Sequence, residues 1–384
     1  MTRDAEDISD SFWRIRRTES WPPRGQVQLP ISPSLISVLR RCPLQAIFRA
    51  SGADAYPSRV SPRARIGTAV HRTIEVLEKR RGELQSRSPR EIRAMAVDLF
   101  RESLAAGKVQ AAHRPREARL TWPDELIRQS EVQLAVAAVK IVHSSDSSAT
   151  TPSQKSLVVV EGMLASPDGF LRGKPDRIES VGYGTVIVDY KTGSLTDPER
   201  LAEYREQCLF YAWLWHATHR EWPIEMRIVN PIPSEEHIEA IDVQEVIDHV
   251  ADARARLTQV ASMSIAESAC IGKHCAYCSF RPWCEPWWAA EDKIAKSDLS
   301  DEPQSFEAVV RLIECWDEPT GRKGHAHMET SGGALTIQFS RDEFPHLAMA
   351  IPGDVLRILD ARLVPGRASS WYLTTWSEVY TVVP

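Results

Sequence analysis

Between Leu157 and Gly193 the chain reads LVVVEGMLASPDGFLRGKPDRIESVGYGTVIVDYKTG, with acids and a lysine set at the ends of short apolar runs. LVVV leads into Glu161, Gly173 to Ile178 carries Pro175-Asp176, and Val186-Ile187-Val188 runs straight into Asp189-Tyr190-Lys191. β-Branched runs bounded by Gly, Pro, Asp and Ser read as strands, and Gly169 and the Gly182/Gly184 pair supply turns. The expectation is a β-meander in which one strand delivers Asp176 and the next delivers Asp189 and Lys191. Strand side chains alternate faces, so Asp189 and Lys191 point one way and Tyr190 points the other, into packing. Two carboxylates and an ammonium on one patch suit a hard divalent cation and a phosphodiester. The metal takes oxygen ligands and activates water, and the lysine orients that water or stabilises developing charge. The same Asp-x-Lys at a strand end also occurs as plain solvated surface charge.

Three further groups of residues bear on that choice. Ile66, Val70, Ile74 and Leu77 recur at helical spacing. They predict a helix starting near Gly67, after a loop over 51–65, with His71 beside its apolar stripe as either a packed residue or a ligand. Thr196-Asp197-Pro198 opens another helix, on which Gln207 and Tyr211, four apart, share a face. Residues 270–288 read CIGKHCAYCSFRPWCEPWW, with four cysteines inside fifteen residues. Cys275-x2-Cys278-x5-Cys284 is ligand-like spacing for zinc or an iron–sulfur cluster. Cys270 could complete a local four-thiolate zinc site, and Cys42, in Arg-Cys-Pro at the end of a helix opened by Ser32-Pro33, reads by itself as a buried small residue.

Taken in order, His71, Pro175-Asp176, Asp189-Tyr190-Lys191, Gln207-x3-Tyr211 and the late cysteines resemble the RecB-type PD-(D/E)XK nucleases of the iron–sulfur branch, over roughly residues 30–290. The resemblance implies a restriction-endonuclease-like α/β fold, a mixed sheet flanked by helices. It implies that His71, Asp176 and Asp189 bind Mg2+ or Mn2+, that Asp176, Asp189 and Lys191 are catalytic, and that Gln207 and Tyr211 contact or position DNA. It also implies a 4Fe-4S cluster on Cys42, Cys275, Cys278 and Cys284, which leaves Cys270 as an extra thiol. The activity expected is metal-dependent hydrolysis of DNA, on single-stranded ends or flaps, in repair, recombination or defence, with a helicase or defence-system partner. The alternative is a non-catalytic nucleic-acid-binding iron–sulfur subunit of a larger helicase–nuclease or defence complex.

The elements that must position these residues are legible in outline. The 384 residues, 43% hydrophobic and 26% charged, have globular composition. There is no run of about 18 apolar residues, so no membrane span is expected. MTRDAEDISDSFW lacks an apolar secretory region, and free cysteines without such a leader point to a cytoplasmic protein. The net charge of −5 hides an asymmetry: residues 1–130 hold 24 Lys/Arg against 15 Asp/Glu, and residues 131–304 hold 16 against 27. A basic lobe beside an acidic one suits phosphate on one side and metal on the other.

Residues 1–30 read as an extension, 31–290 as the nuclease domain with a helical insertion over about 72–150 and its cysteine cluster at 270–284, and 291–304 as a linker. Residues 305–384 read as a small all-β, OB-like barrel. Its predicted strands are Phe306–Cys315, Ala334–Phe339, Val355–Leu363, Trp371–Thr375 and Glu378–Val383, with a turn at Thr320–Gly324 and Cys315 in strand core. Trp316, Phe339, Trp371, Tyr372 and Trp376 are its candidates for stacking on single-stranded DNA; docking a partner is the competing role.

Overall fold

A computed structural model describes residues 14–16, 30–50, 60–143, 158–160, 162–230, 235–291, 303–319, 321–367 and 369–383. Strand β1 is Arg14–Arg16, followed by helices α1 (Pro33–Arg41), α2 (Pro43–Ala50), α3 (Pro62–Lys79), α4 (Pro89–Ala112) and α5 (Asp124–His143). Strands β2 (Val158–Val160), β3 (Leu164–Ala165), β4 (Arg172–Gly173), β5 (Arg177–Val181) and β6 (Gly184–Tyr190) lead into α6 (Pro198–His219). Then come β7 (Glu225–Asn230), β8 (Glu235–Ala240), α7 (Val243–Ser262) and α8 (Glu285–Glu291).

One sheet has the order β2-β5-β6-β7-β8, antiparallel except for the parallel pair β6–β7, which α6 connects. The result is a mixed α/β layer structure. Its central strand β6 is buried on both faces. Ile187 packs with Ile178, Met226 and Leu209 of α6, whereas Val186, Val188 and Tyr190 pack against Ile66, Val70 and Ile74 of α3 and Phe100 of α4. The period-2 alternation thus separates two half-cores and leaves Asp189 on the α6 side.

Helix starts follow one recipe. Ser32, Ser61 and Ser88 cap α1, α3 and α4 with Pro at the first turn, and Asp197 does the same for α6. The Ser61-Pro62 start puts 62–65 inside α3, earlier than the start expected near Gly67. Asp176 precedes β5, in the bend after β4, and Lys191 lies one residue past β6. Glu161 lies outside the described residues.

The C-terminal strands are β9 (Gln304–Glu318), β10 (Gly321–Thr330), β11 (Gly333–Ser340), β12 (Val355–Leu363), β13 (Ser370–Tyr372) and β14 (Glu378–Val383). They pair in the order β9-β10-β11-β13-β12, and β12 also pairs with β9, so these strands close a ring. β11–β13 is parallel, and a helical turn at Pro345–Ala348 sits between β11 and β12. Several expectations for these strands need correction. β10 forms where a turn over Thr320–Gly324 was expected. Cys315 is exposed, whereas Phe339 is core and Trp371 packs against that core. Arg14–Arg16 of the N-terminal extension is a strand, parallel to β14.

The barrel is bolted to the first layer by buried charge. Arg116 donates to both carboxylate oxygens of Glu378 at 3.0 and 2.9 Å, and to the Ser279 carbonyl at 2.7 Å. Arg357 donates to the Pro282 carbonyl at 2.8 Å and to Glu285 at 2.7 Å. Trp283 meets Tyr380 edge to face.

Candidate active site

Four side chains arrive on one patch from separate places in the chain. His71 projects from α3, Asp176 from the bend before β5, Asp189 from the end of β6 and Lys191 from the residue beyond it. His71 Nδ1 lies 3.8 Å from Asp176 Oδ2. That same oxygen accepts the Tyr190 backbone N–H at 2.7 Å, which ties the bend to the β6 end. Asp189 is 2% exposed, and its Oδ2 lies 2.6 Å from Lys191 Nζ, in ionic contact but without an aligned hydrogen bond.

Helix α6 supplies the opposite wall. Lys191 Nζ donates to Gln207 Oε1 at 2.7 Å, Gln207 Nε2 donates to the Tyr211 hydroxyl at 3.2 Å, and that hydroxyl donates to the Lys174 carbonyl at 3.2 Å. Gln207 and Tyr211 therefore do share a face, and that face is turned to Lys191; Tyr211 is buried. Sequence reasoning missed Tyr204, whose ring centroid lies 5.1 Å from Lys191 Nζ. Its signal was the i−3 spacing from Gln207. Two glycines let this wall approach. A Cβ on Gly173 would sit 2.9 Å from Tyr211 Cε1, and one on Gly193 would sit 2.3 Å from the Tyr204 hydroxyl.

The charges are tuned by this packing. Burial, then the Lys191 charge, lowers the His71 pKa below its ordinary value against the pull of Asp189, so the imidazole is neutral at neutral pH. Burial works against the Lys191 ammonium, but Asp189 beside it and Asp176 nearby hold its pKa above the ordinary value. Lys191 is thus a cation and a donor. Burial, with Asp189 and Asp176, raises the Tyr211 pKa and keeps it a protonated phenol.

A second network backs the site. Tyr190 turns away from Asp189, as alternation requires, and its hydroxyl donates to Glu78 Oε1 at 2.7 Å. Arg177 donates to both Glu78 oxygens at 2.8 and 2.7 Å and also contacts Glu179. Glu78 is buried on α3 and nothing in the sequence pattern marks it. Its function is to lock α3, and with it His71, onto β5 and β6.

Elsewhere, Cys42, Cys270, Cys275, Cys278 and Cys284 line one cavity. Cys42 ends α1, where its backbone N–H caps the Val38 carbonyl; Cys275 and Cys278 sit in and just after a 3-10 turn; and Cys284 precedes α8. Trp283, Trp287 and Trp288 are buried beside Cys275 and Cys284. All are free thiols. Burial raises the pKa of Cys278, and that of Cys284 to about 12.

A mixed sheet with an acid–acid–lysine cluster where β5 and β6 meet defines a nuclease-like α/β protein. The PD-(D/E)XK nuclease superfamily profile matches residues 30–285, and this chain belongs to that superfamily. No curated protein matches the chain. Among solved structures it is similar to one described as "Crystal structure of SSO0001", at 14% identity, covering 54% of this chain and 92% of that one, with a TM-score of 0.23. Among the described residues, no helix is long and apolar enough to cross a membrane.

Proposed function

We propose that this protein is a RecB-type deoxyribonuclease that uses Mg2+ or Mn2+ to hydrolyse single-stranded DNA at ends or flaps. The observation that carries the reading is the convergence of His71, Asp176, Asp189 and Lys191 on one patch, with His71 Nδ1 3.8 Å from Asp176 Oδ2 and the buried Asp189 carboxylate 2.6 Å from the Lys191 ammonium. Two carboxylates and a neutral imidazole are a donor set that fits such an ion. Asp176, Asp189 and His71 would hold it. When bound, the metal supplies Lewis-acid stabilisation of phosphoryl charge and acidifies water.

The other steps belong to this chain's own side chains. Lys191, kept protonated by Asp189, donates to the phosphate or to the attacking water and neutralises developing charge. Its raised pKa suits it poorly to remove a proton. Gln207 fixes the ammonium from the α6 side, and Tyr211 fixes Gln207. Both are thus positioning residues for Lys191, and any contact of theirs with DNA is made at the edge of the same pocket. The basic N-terminal third supplies phosphate-binding charge.

The cysteine cavity supports a 4Fe-4S cluster on Cys42, Cys275, Cys278 and Cys284. The thiols surround a space. Cys270, exposed at the rim, is left over. The cluster's role would be structural, joining the α1 end to the segment before α8. The ring order, the parallel β11–β13 pair and the helical turn between β11 and β12 support an OB-like barrel. Tyr372 and Trp376, both exposed, remain as its stacking aromatics.

Digestion of end-labelled and end-blocked single strands in Mg2+ or Mn2+ tests the activity. Loss of cleavage on blocking the ends is expected; equal cleavage of blocked strands would overturn the preference for ends, and no cleavage of either would overturn the nuclease reading. Iron and acid-labile sulfide in anaerobically purified protein are expected, and stoichiometric zinc in colourless protein would contradict the cluster.

A further inference from the structure

The C-terminal barrel carries a constellation that neither the nuclease site nor the cysteine cavity uses. Register pairs Glu314 on β9 directly with His325 on β10, and pairs His327 with Thr336 on β11. Alternation keeps His325 and His327 on the outer face, because Gly324, Ala326 and Met328 between and beside them point into the barrel core. The ligand atoms of Glu314, His325 and His327 all lie within 4.8 Å of one another.

We propose that Glu314, His325 and His327 form a binding site for a zinc-class divalent ion on the outer face of β9–β10. Two imidazoles and one carboxylate are a common zinc donor set, with water completing the coordination. Imidazole nitrogen favours zinc and its transition-metal neighbours over the hard magnesium ion, so the site is chemically distinct from the nuclease patch. It is also distinct from the cavity that gathers thiols.

The His327 ring is held at both nitrogens. His327 Nδ1 lies 3.1 Å from Thr336 Oγ1, and Nε2 lies 2.8 Å from Glu314 Oε2. Without metal, Nε2–H can donate to Glu314 while Nδ1 accepts the Thr336 hydroxyl; with a cation at Nε2, Nδ1–H donates to Thr336 instead, so the same two contacts serve both states. The Thr336 hydroxyl stands where a ligating histidine usually has a carboxylate, backbone carbonyl or water as its outer-shell partner. Trp316 meets the His325 ring edge to face at 4.7 Å and sets its tilt. An exposed His–Glu ion pair alone contributes little and has no need of a second imidazole. Closing all three ligands on one ion asks only for side-chain rotation, since the β9–β10 ladder fixes the backbone. A bound ion would tie β9 to β10 in the stretch where β9 is mostly exposed, beyond its buried first half.

The test is titration of the full-length protein as purified with Co2+ as a spectroscopic probe, read as the difference spectrum against the same sample before cobalt, and with Zn2+ in competition with a chromogenic chelator. We expect one equivalent of Co2+ with ligand-field bands of nitrogen and oxygen ligation and no thiolate charge-transfer band. His325→Ala and His327→Ala should each weaken binding by at least about tenfold, and Thr336→Val should weaken it less. Glu314→Gln removes an exposed ligand with the least risk to folding, and melting curves without added metal should match the wild type for every variant. Unchanged affinity in His325→Ala and His327→Ala, or a thiolate band carrying the whole signal, would overturn the site. DNA cleavage does not enter the readout, so this result stands or falls apart from the nuclease reading.

Discussion

The acid–lysine patch and the cysteine cavity both gather side chains of the types that ligate metals, and they are built in opposite ways. At the patch, Asp189 and Lys191 are two residues apart on one strand, and Asp176 joins them through a hydrogen bond to the intervening Tyr190 backbone. Local geometry does most of the assembly, and His71 alone arrives from far away, locked by Glu78. At the cavity, Cys42 lies more than two hundred residues before its companions and meets them only when the chain has folded. The patch holds its charges ready, with Lys191 paired to Asp189. The cavity holds thiols whose burial resists ionisation until something binds them. The comparison teaches that damage to the first should remove chemistry and leave the fold, whereas damage to the second should loosen the fold.

The largest expected effect is at the patch. Asp189→Asn should lower the single-turnover cleavage rate by about 10²–10³-fold or more. It also leaves Lys191 buried without its partner, so a modest drop in melting temperature is expected with it. A rate within about threefold of wild type would break the comparison at its first point. With the proposed cluster bound, Cys284→Ser should instead cost its visible absorption and lower the melting temperature by several degrees, with activity lost in proportion to unfolding. Calorimetry and the visible spectrum together check this. Between the two in character is Arg116→Ala. It takes the guanidinium from Glu378, at 3% side-chain exposure, and should cost about 3–5 kcal/mol in chemical denaturation, because a half-broken buried ion pair leaves a carboxylate that the Tyr380 hydroxyl only partly satisfies.

Gln207→Ala sharpens the account of the patch. As a positioning residue it should reduce kcat by about tenfold with little change in KM, and Gln207→Glu should restore part of the loss by re-pairing Lys191. A change confined to KM would instead make Gln207 a DNA contact. The smallest effect concerns the cavity. At pH 8 a thiol with a pKa near 12 is about one part in ten thousand ionised. In metal-free protein, iodoacetamide should therefore label exposed Cys315 first, Cys284 far more slowly, and fully buried Cys208 last, read by mass spectrometry. The reverse order would contradict the burial.

What could be read from the sequence follows the same division. The end of β6, with Asp189 and Lys191 facing α6 and Tyr190 facing α3, is a consequence of period two, and alternation alone predicts it. Gln207 and Tyr211 follow from period 3.6. Ser-Pro helix starts are equally local, although Ser61-Pro62 was passed over because Ile66 opens the visible apolar stripe. Glu78 was illegible, because a glutamate on a charged helix becomes a buried anchor only when Arg177 and Tyr190 close on it. Strand β10 was illegible for a different reason. Gly321–Thr330 reads GRKGHAHMET, with few β-branched residues, and its inward positions hold Gly324, Ala326 and Met328. Gly324 is small because Phe339 on β11 packs over it; a Cβ there would lie 2.4 Å from that ring. The strand is specified by its neighbours, and with it the placement of His325 and His327. Strand β1 depends likewise on β14, at the far end of the chain.

The most direct test of the central claim is single-turnover cleavage of labelled single-stranded DNA by wild type and Lys191→Ala, in Mg2+ and Mn2+, with the visible spectrum and melting temperature recorded on the same samples. The account predicts metal-dependent cleavage by the wild type and a loss of about 10²–10³-fold or more in Lys191→Ala, with the spectrum unchanged. Full activity in Lys191→Ala would contradict it.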